Sequence, residues 1–191
     1  MSAGQVHSIQ DCGEQKRRWR VFFALWPGAE TREALVQASQ MAVQRSAGCA
    51  TPRANLHVTL AFLGVISAAE LARVQELSSP PGGRFVLNIN TLGLRKRTRL
   101  LWAAPGTVPS ELLALESWLW DRLAELGMAR QRHVYLPHVT LARKARHVGD
   151  TLQPVRWPVA EFALVESTLG PPNSVYRILK VWPLVTSSCV A

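Results

Sequence analysis

One tetrapeptide occurs twice, as His57-Val58-Thr59-Leu60 and His138-Val139-Thr140-Leu141, 81 positions apart. Each copy closes the same run of elements: an apolar strand, a Pro-Gly, an amphipathic helix and a further strand. Pro27-Gly28 stands 30 positions before His57, and Pro105-Gly106 stands 33 before His138. A period of this length is too long for a solenoid unit, so the chain reads as two similar lobes. A chain of 191 residues has room for one such domain.

The elements around the repeat follow from hydrophobic period and turn residues. Residues 19–26 are aromatic and aliphatic and read as a buried strand. Residues 29–44 lack Gly and Pro and carry Leu35, Ala38 and Ala42 at helical spacing. Residues 48–52 read as a loop and 56–63 as a strand ended by Gly64. Ser67-x-x-Glu70 is a capping box that opens a helix with Leu71, Val74 and Leu77 on one side. Further strands are expected at 85–94, 100–104, 137–143, 159–169 and 175–182, the last two pairing across a turn at 171–173. A helix entered through Pro109 carries Leu112, Leu115, Leu119 and Leu123, with Gly127 as its C′ residue. Residues 1–18 read as a polar leader, 19–185 as the domain and 186–191 as a tail. Trp26, Trp102 and Trp118 fall in apolar runs and read as core.

In a strand, residues two apart share a face and lie about 6–7 Å apart. His57 and Thr59 therefore point one way, and Val58 and Leu60 the other. The second copy repeats the arrangement with His138 and Thr140. Two such units facing each other would surround a small anion with two imidazoles and two hydroxyls. Near neutral pH one histidine can be charged and the other neutral, which is what phosphodiester chemistry needs of an acid and a base. The hydroxyls can donate to non-bridging oxygens, and an arginine can offset their charge. Arg143 follows Thr140 by an odd number of positions, so strict alternation turns it away unless the strand bends or ends. Phe62 can stack on a base or pack in the core. His133 and His147 lack a threonine two residues on and read as surface residues, and His7 falls in the leader. No H-x-H, H-E-x-x-H or cysteine cluster offers a third ligand for zinc, so neither a metal nor another cofactor is expected.

Composition narrows the partner. Lys and Arg total 22 against 13 Asp and Glu, a net charge of +9, which favours anionic partners, meaning nucleic acid, nucleotides or anionic lipid. Arg95-Lys96-Arg97-x-Arg99 reads either as a guide for an RNA backbone or as a solvated hairpin turn, and Arg143-Lys144-x-Arg146 is a similar basic cluster. No stretch is long and apolar enough for a membrane span, and residues 1–20 lack the apolar core of a secretory signal. Cys12, Cys49 and Cys189 are odd in number and scattered, which fits a reducing, cytoplasmic setting. A monomer is expected.

The paired H-V-T-L motifs, with Val21-Phe22-Phe23-Ala24-Leu25, Leu101-Trp102, Pro137, Ala142-Arg143 and Tyr176-Arg177-Ile178-Leu179 around them, resemble the 2H phosphoesterase superfamily. The chain is most similar to its RNA 2′,3′-cyclic phosphodiesterases, historically called 2′-5′ RNA ligases. The resemblance spans residues 20–184, and the leader departs from the usual family start. It implies a bilobal α+β fold with two antiparallel sheets lining a central cleft and helices outside. It implies hydrolysis of a terminal 2′,3′-cyclic phosphate on RNA to a 2′-phosphate. His57 would be the proton donor and His138 the proton acceptor, with Thr59, Thr140 and Arg143 holding the phosphate. Ligation of 2′-5′ junctions is the same chemistry with a 5′-hydroxyl in place of water. The same site could act on a cyclic nucleotide, ADP-ribose cyclic phosphate or 2′-5′ oligoadenylate, or bind RNA ends without turnover.

Overall fold

Apolar strands and leucine-striped helices assemble here into antiparallel sheet with helices packed against it. The computed structural model describes residues 17–130, 134–148, 152–170 and 174–185. Most of the leader, the tail, His133 and the 171–173 turn lie outside the described residues. The strands are β1 (Arg18–Leu25), β2 (Cys49–Ala50), β3 (Val58–Ser67), β4 (Phe85–Arg95), β5 (Leu100–Pro105), β6 (Val139–Arg143), β7 (Val155–Val159), β8 (Glu161–Thr168) and β9 (Val175–Pro183). The helices are α1 (Ala29–Arg45), α2 (Ala68–Gln75) and α3 (Ser110–Glu125), with a 3-10 turn at Arg53–Asn55.

Local signals account for the helix ends. Ser67 and Glu70 form the expected capping box: the Glu70 amide donates to Ser67 Oγ at 3.2 Å, and the Ser67 amide donates to Glu70 Oε2 at 2.7 Å. Gly127 takes a φ of +82° after α3, where the Gly127 and Met128 amides return to Ala124 and Leu123. This is the Schellman arrangement that favours glycine.

The main core lies between the helices and one face of the sheet. Val21, Phe23 and Leu25 of β1 meet it together with Leu35 of α1 and Leu112, Leu119 and Leu123 of α3, all fully buried. Each such side chain contributes about 1.5–3 kcal/mol by leaving water. The opposite face of β1 carries Phe22 and Ala24, which join Ala163 and Val165 of β8 in a second small cluster. The candidate site residues stand on that opposite face.

Among the described residues the strands form one sheet, ordered β7-β4-β5-β6-β3-β1-β8-β9, with β2 beside β6. Every pairing is antiparallel. The expected two sheets are therefore joined, through the single register pair Val58↔Val139. Both valines are fully buried, and buried backbone groups must find hydrogen-bond partners, which the neighbouring motif strand supplies. Outward from this join stand β6 and β5 on one side and β3 and β1 on the other, so the duplicated strand-helix-strand units β1-α1-β3 and β5-α3-β6 meet at Val58 and Val139.

Three elements differ from expectation. β2 forms where a loop is predicted, pairing Cys49 with Arg143 and Ala50 with Ala142. The run at 159–169 is the end of one strand and the whole of the next, because β7 precedes β8 with Ala160 between them. β7 contains Pro158, which a strand tolerates only at a sheet edge, and β7 is an edge strand. Gly64 bends β3 without ending it, at a φ of +75°.

Candidate active site

The central join brings the two H-x-T units side by side. Continuing the antiparallel register one residue each way from Val58↔Val139 sets His57 across from Thr140 and Thr59 across from His138. With the valines turned to the core, these four half-buried residues share the opposite face. Neighbours across such strands stand about 4.5–5.5 Å apart, which suits four groups around one phosphate. The expectation of motifs facing each other across a lobe interface gives way to a closer arrangement, adjacent strands in one sheet.

Both imidazoles are held in the same way. His57 Nδ1 lies 2.7 Å from the Asn55 carbonyl oxygen, and His138 Nδ1 lies 2.7 Å from that of Leu136. A carbonyl oxygen only accepts, so each Nδ1 carries a proton and each Nε2 is left for chemistry. The 3-10 turn sets the Asn55 carbonyl, and the Asn55 side chain donates to the Ser174 carbonyl at 2.8 Å, tying this turn to the start of β9. Aromatic rings wall His57: Trp26 is stacked on it at 5.3 Å, Phe22 lies at 4.9 Å, and Tyr176 meets it edge-on at 5.4 Å. Trp102 stands 6.4 Å from His138. Gly93 sits opposite Trp102 because a Cβ there would fall 1.9 Å from the indole.

Burial lowers the His57 pKa from 6.5 to about 4; the Asn55 hydrogen bond opposes this, and the charges of His138 and Arg143 add to it. Burial also lowers His138, with the Leu136 hydrogen bond opposing and the Arg95 charge adding. Both imidazoles are therefore neutral in the free protein near pH 7.

Arg143 shares a cavity with Thr140, Thr59, Phe62 and His57, a space of about 400 Å³. Its orientation is explained by a β-bulge. Between β5 and β6, Trp102 pairs with Thr140 and Leu101 with Ala142, which leaves Leu141 as the extra residue. The bulge shifts the alternation by one and returns Arg143 to the face of Thr140. β3 has the same device: Ala24 pairs with Thr59 and Phe23 with Ala61, so Leu60 is extra and Phe62 returns to the face of Thr59. The repeat is thus six residues long in structure, and Phe62 is the counterpart of Arg143. Phe62 lies at the cavity wall and not in the main core, with the Arg20 guanidinium 4.7 Å from its ring centroid. Arg20 in turn donates to Ser167 Oγ at 3.0 Å.

His138 lines an adjoining cavity of about 190 Å³, and Thr59 and Phe62 border both spaces. In that second space Tyr135 donates to the Thr59 carbonyl at 3.2 Å, and Arg130 makes two hydrogen bonds to buried Glu116. Sequence reasoning missed Arg20, Asn55, Tyr135 and Tyr176 as site residues. It also read Trp26 and Trp102 as core, whereas both are half-buried walls of the histidines. His147 is exposed, as expected. Among the described residues no cluster of three or more His, Cys, Asp or Glu could hold a metal. No helix among them is long and apolar enough to cross a membrane.

A family model described as the 2′-5′ RNA ligase superfamily matches residues 27–171. The chain belongs to this superfamily. The RNA 2′,3′-cyclic phosphodiesterase of Escherichia coli K12 is 32% identical over 171 residues, covering 86% of this chain and 96% of that protein. The enzyme of the same name from Thermus thermophilus is 30% identical over 182 residues, covering 86% and 90%. The crystal structure of E. coli LigT complexed with 3′-AMP superposes with a TM-score of 0.74 at 30% identity, over 89% of this chain and 100% of that one. Membership of the 2′-5′ RNA ligase superfamily agrees with the paired H-V-T-L reading.

Proposed function

We propose that the protein hydrolyses the terminal 2′,3′-cyclic phosphate of RNA to a 2′-phosphate, using two histidines and no metal. The observation that carries this reading is the pair of H-x-T units on adjacent strands, each imidazole anchored through Nδ1 with Nε2 unpartnered among the described residues. His138 accepts a proton from water as the water oxygen bonds to phosphorus. The bond from phosphorus to O3′ breaks, and His57 donates its proton to O3′. One water is consumed, and the proton now on His138 must return to His57 through solvent before the next turnover. Thr59, Thr140 and Arg143 donate to the non-bridging oxygens, whose charge rises in the transition state. Phe62, which borders both cavities, offers its ring to a base. A 5′-hydroxyl in place of water gives a 2′-5′ linkage by the same steps.

The direct test is an oligoribonucleotide ending in a 2′,3′-cyclic phosphate, incubated with the protein in EDTA. A 2′-phosphate product is expected. A 3′-phosphate product, or turnover only with added divalent metal, would overturn the reading.

The lowered pKa values set the pH dependence. The reaction needs one proton shared between the two histidines. Both titrate below 6.5 in the free protein, His57 at about 4, so the singly protonated pair is lost as pH rises through neutral. kcat/KM, which reports the free enzyme, should therefore peak acid of pH 6.5. The bound phosphodiester anion favours the protonated form, so the kcat optimum lies at higher pH. Profiles over about pH 4–9 check this, and a kcat/KM optimum alkaline of neutrality would contradict it.

A further inference from the structure

Two basic runs far apart in sequence meet beside the cavity. Arg95-Lys96-Arg97-Thr98-Arg99 ends β4 and forms the turn into β5, and all five residues are exposed. Arg143-Lys144-Ala145-Arg146 ends β6 and runs beyond it, with each cation exposed and only Ala145 buried. The Ala145 amide donates to the Arg99 carbonyl at 3.0 Å, which joins the runs edge to edge. The Arg146 amide donates to the buried Ser46 carbonyl at 2.8 Å, so the second run is pinned on its other side as well. Arg99 and Lys144 take φ values of +51° and +57°, and so hold unusual but defined backbone positions at the junction. Arg143 and Lys144 line the main cavity. The strip therefore starts at the site and leads away from it.

Its charge is unopposed. Among the described residues none of these cations forms an ion pair. Some basic side chains elsewhere are offset by carboxylates: Arg17 and Arg177 share Glu166, Arg53 meets Glu33, Arg122 meets Glu125, and Arg130 meets Glu116. Cations left without partners on an ordered backbone suit a chain of phosphates, where binding draws on counterion release.

We infer that this strip binds the body of single-stranded RNA, 5′ of the terminal phosphate held in the cavity. The inference rests on the proposed RNA-end reaction for its polarity, but its charge argument does not. It separates two parts of recognition. The cavity takes the terminal nucleotide, and the strip adds affinity only when further phosphates are present.

The test compares the wild type with K96Q/R97Q/R99Q/R146Q, and with R17Q/R18Q/R73Q as a control that also removes cations. The first measurement is fluorescence anisotropy with a labelled single-stranded oligoribonucleotide of about ten nucleotides bearing a terminal 2′-phosphate. The strip variant should bind about tenfold or more weakly at low salt, and its log affinity–log salt slope should fall by ~0.7 for each phosphate it no longer neutralises. The control should stay near wild type. The second measurement is kcat/KM on a nucleoside 2′,3′-cyclic monophosphate, which should change by less than about twofold because it carries no further phosphate. An unchanged salt slope, an equal loss in the control, or an equal loss on the mononucleotide would overturn the inference. So would loss of binding to phosphatidylserine vesicles with RNA binding intact, since the strip would then be a membrane surface. A wild type that binds the oligonucleotide but turns over neither substrate would sink the proposed reaction, and the anisotropy data would still decide the strip.

Discussion

Alanine at His57 or at His138 lowers kcat on a cyclic-phosphate-ended oligonucleotide by at least ~10²-fold. The two residues share one geometry, an Nδ1 proton given to a backbone carbonyl two residues earlier. Each substitution therefore removes a positioned Nε2 and little else from the reacting centre. His57 also fills space against Trp26 and Phe22, so His57→Gln is the better companion variant. It keeps bulk and hydrogen-bonding capacity but cannot titrate near neutral pH. If the histidines act as a unit, the double variant is no slower than the slower single one, because half of an acid–base pair already forfeits most of its advantage. Retention of more than about a tenth of wild-type kcat in either alanine variant would remove that histidine from the proton-transfer steps.

Loss of the Arg143 cation should cost ~10²–10³-fold in kcat/KM, as expected for a donor aimed at charge that grows in the transition state. Arg143→Lys should recover part of this, since it keeps the charge without the fork. The same residue can be disturbed without touching its side chain. A Cβ on Gly48 would lie 2.8 Å from the Arg143 carbonyl oxygen and 2.9 Å from Ala145 Cα. Both are backbone atoms held by the hydrogen bonds to Ser46 and Arg99, so they cannot turn aside as a side-chain tip would. Gly48→Ala should therefore displace the segment that aims Arg143. The expected result is about tenfold or greater loss of kcat/KM together with ~1–3 kcal/mol of stability. Thermal unfolding and steady-state kinetics on the same preparation separate the two effects. Reduced stability with unchanged kinetics would show that the segment yields without moving the guanidinium.

The sequence was most legible where a local rule has one outcome. The H-x-T spacing places both polar residues on one face, and the Ser67 box and Gly127 mark helix ends by their own hydrogen bonds. It was least legible where an extra residue resets the count. Nothing in Leu60 or Leu141 announces a bulge, yet each bulge decides where Phe62 or Arg143 points. β7 was hidden by Pro158, which breaks a strand in the interior of a sheet and not at its edge. The walls around the histidines were hidden for another reason. Trp26 and Trp102 are apolar enough to read as core, and only the sheet order shows which of their faces the imidazoles meet. The join at Val58↔Val139 depends on pairing between distant segments, which no local pattern encodes.

An arrangement with perfect two-fold symmetry would offer the terminal phosphate two equivalent ways to sit, one the reverse of the other. Here the six-residue repeats match until their last position, where one limb ends in Phe62 and the other in Arg143. A flat ring on one side and a cation on the other add to the unequal walls of the two imidazoles, three aromatic rings around His57 and one indole beside His138. The sixth position would then give the site a handedness that the shared His-x-Thr pattern lacks, and with it a preferred orientation for an incoming end.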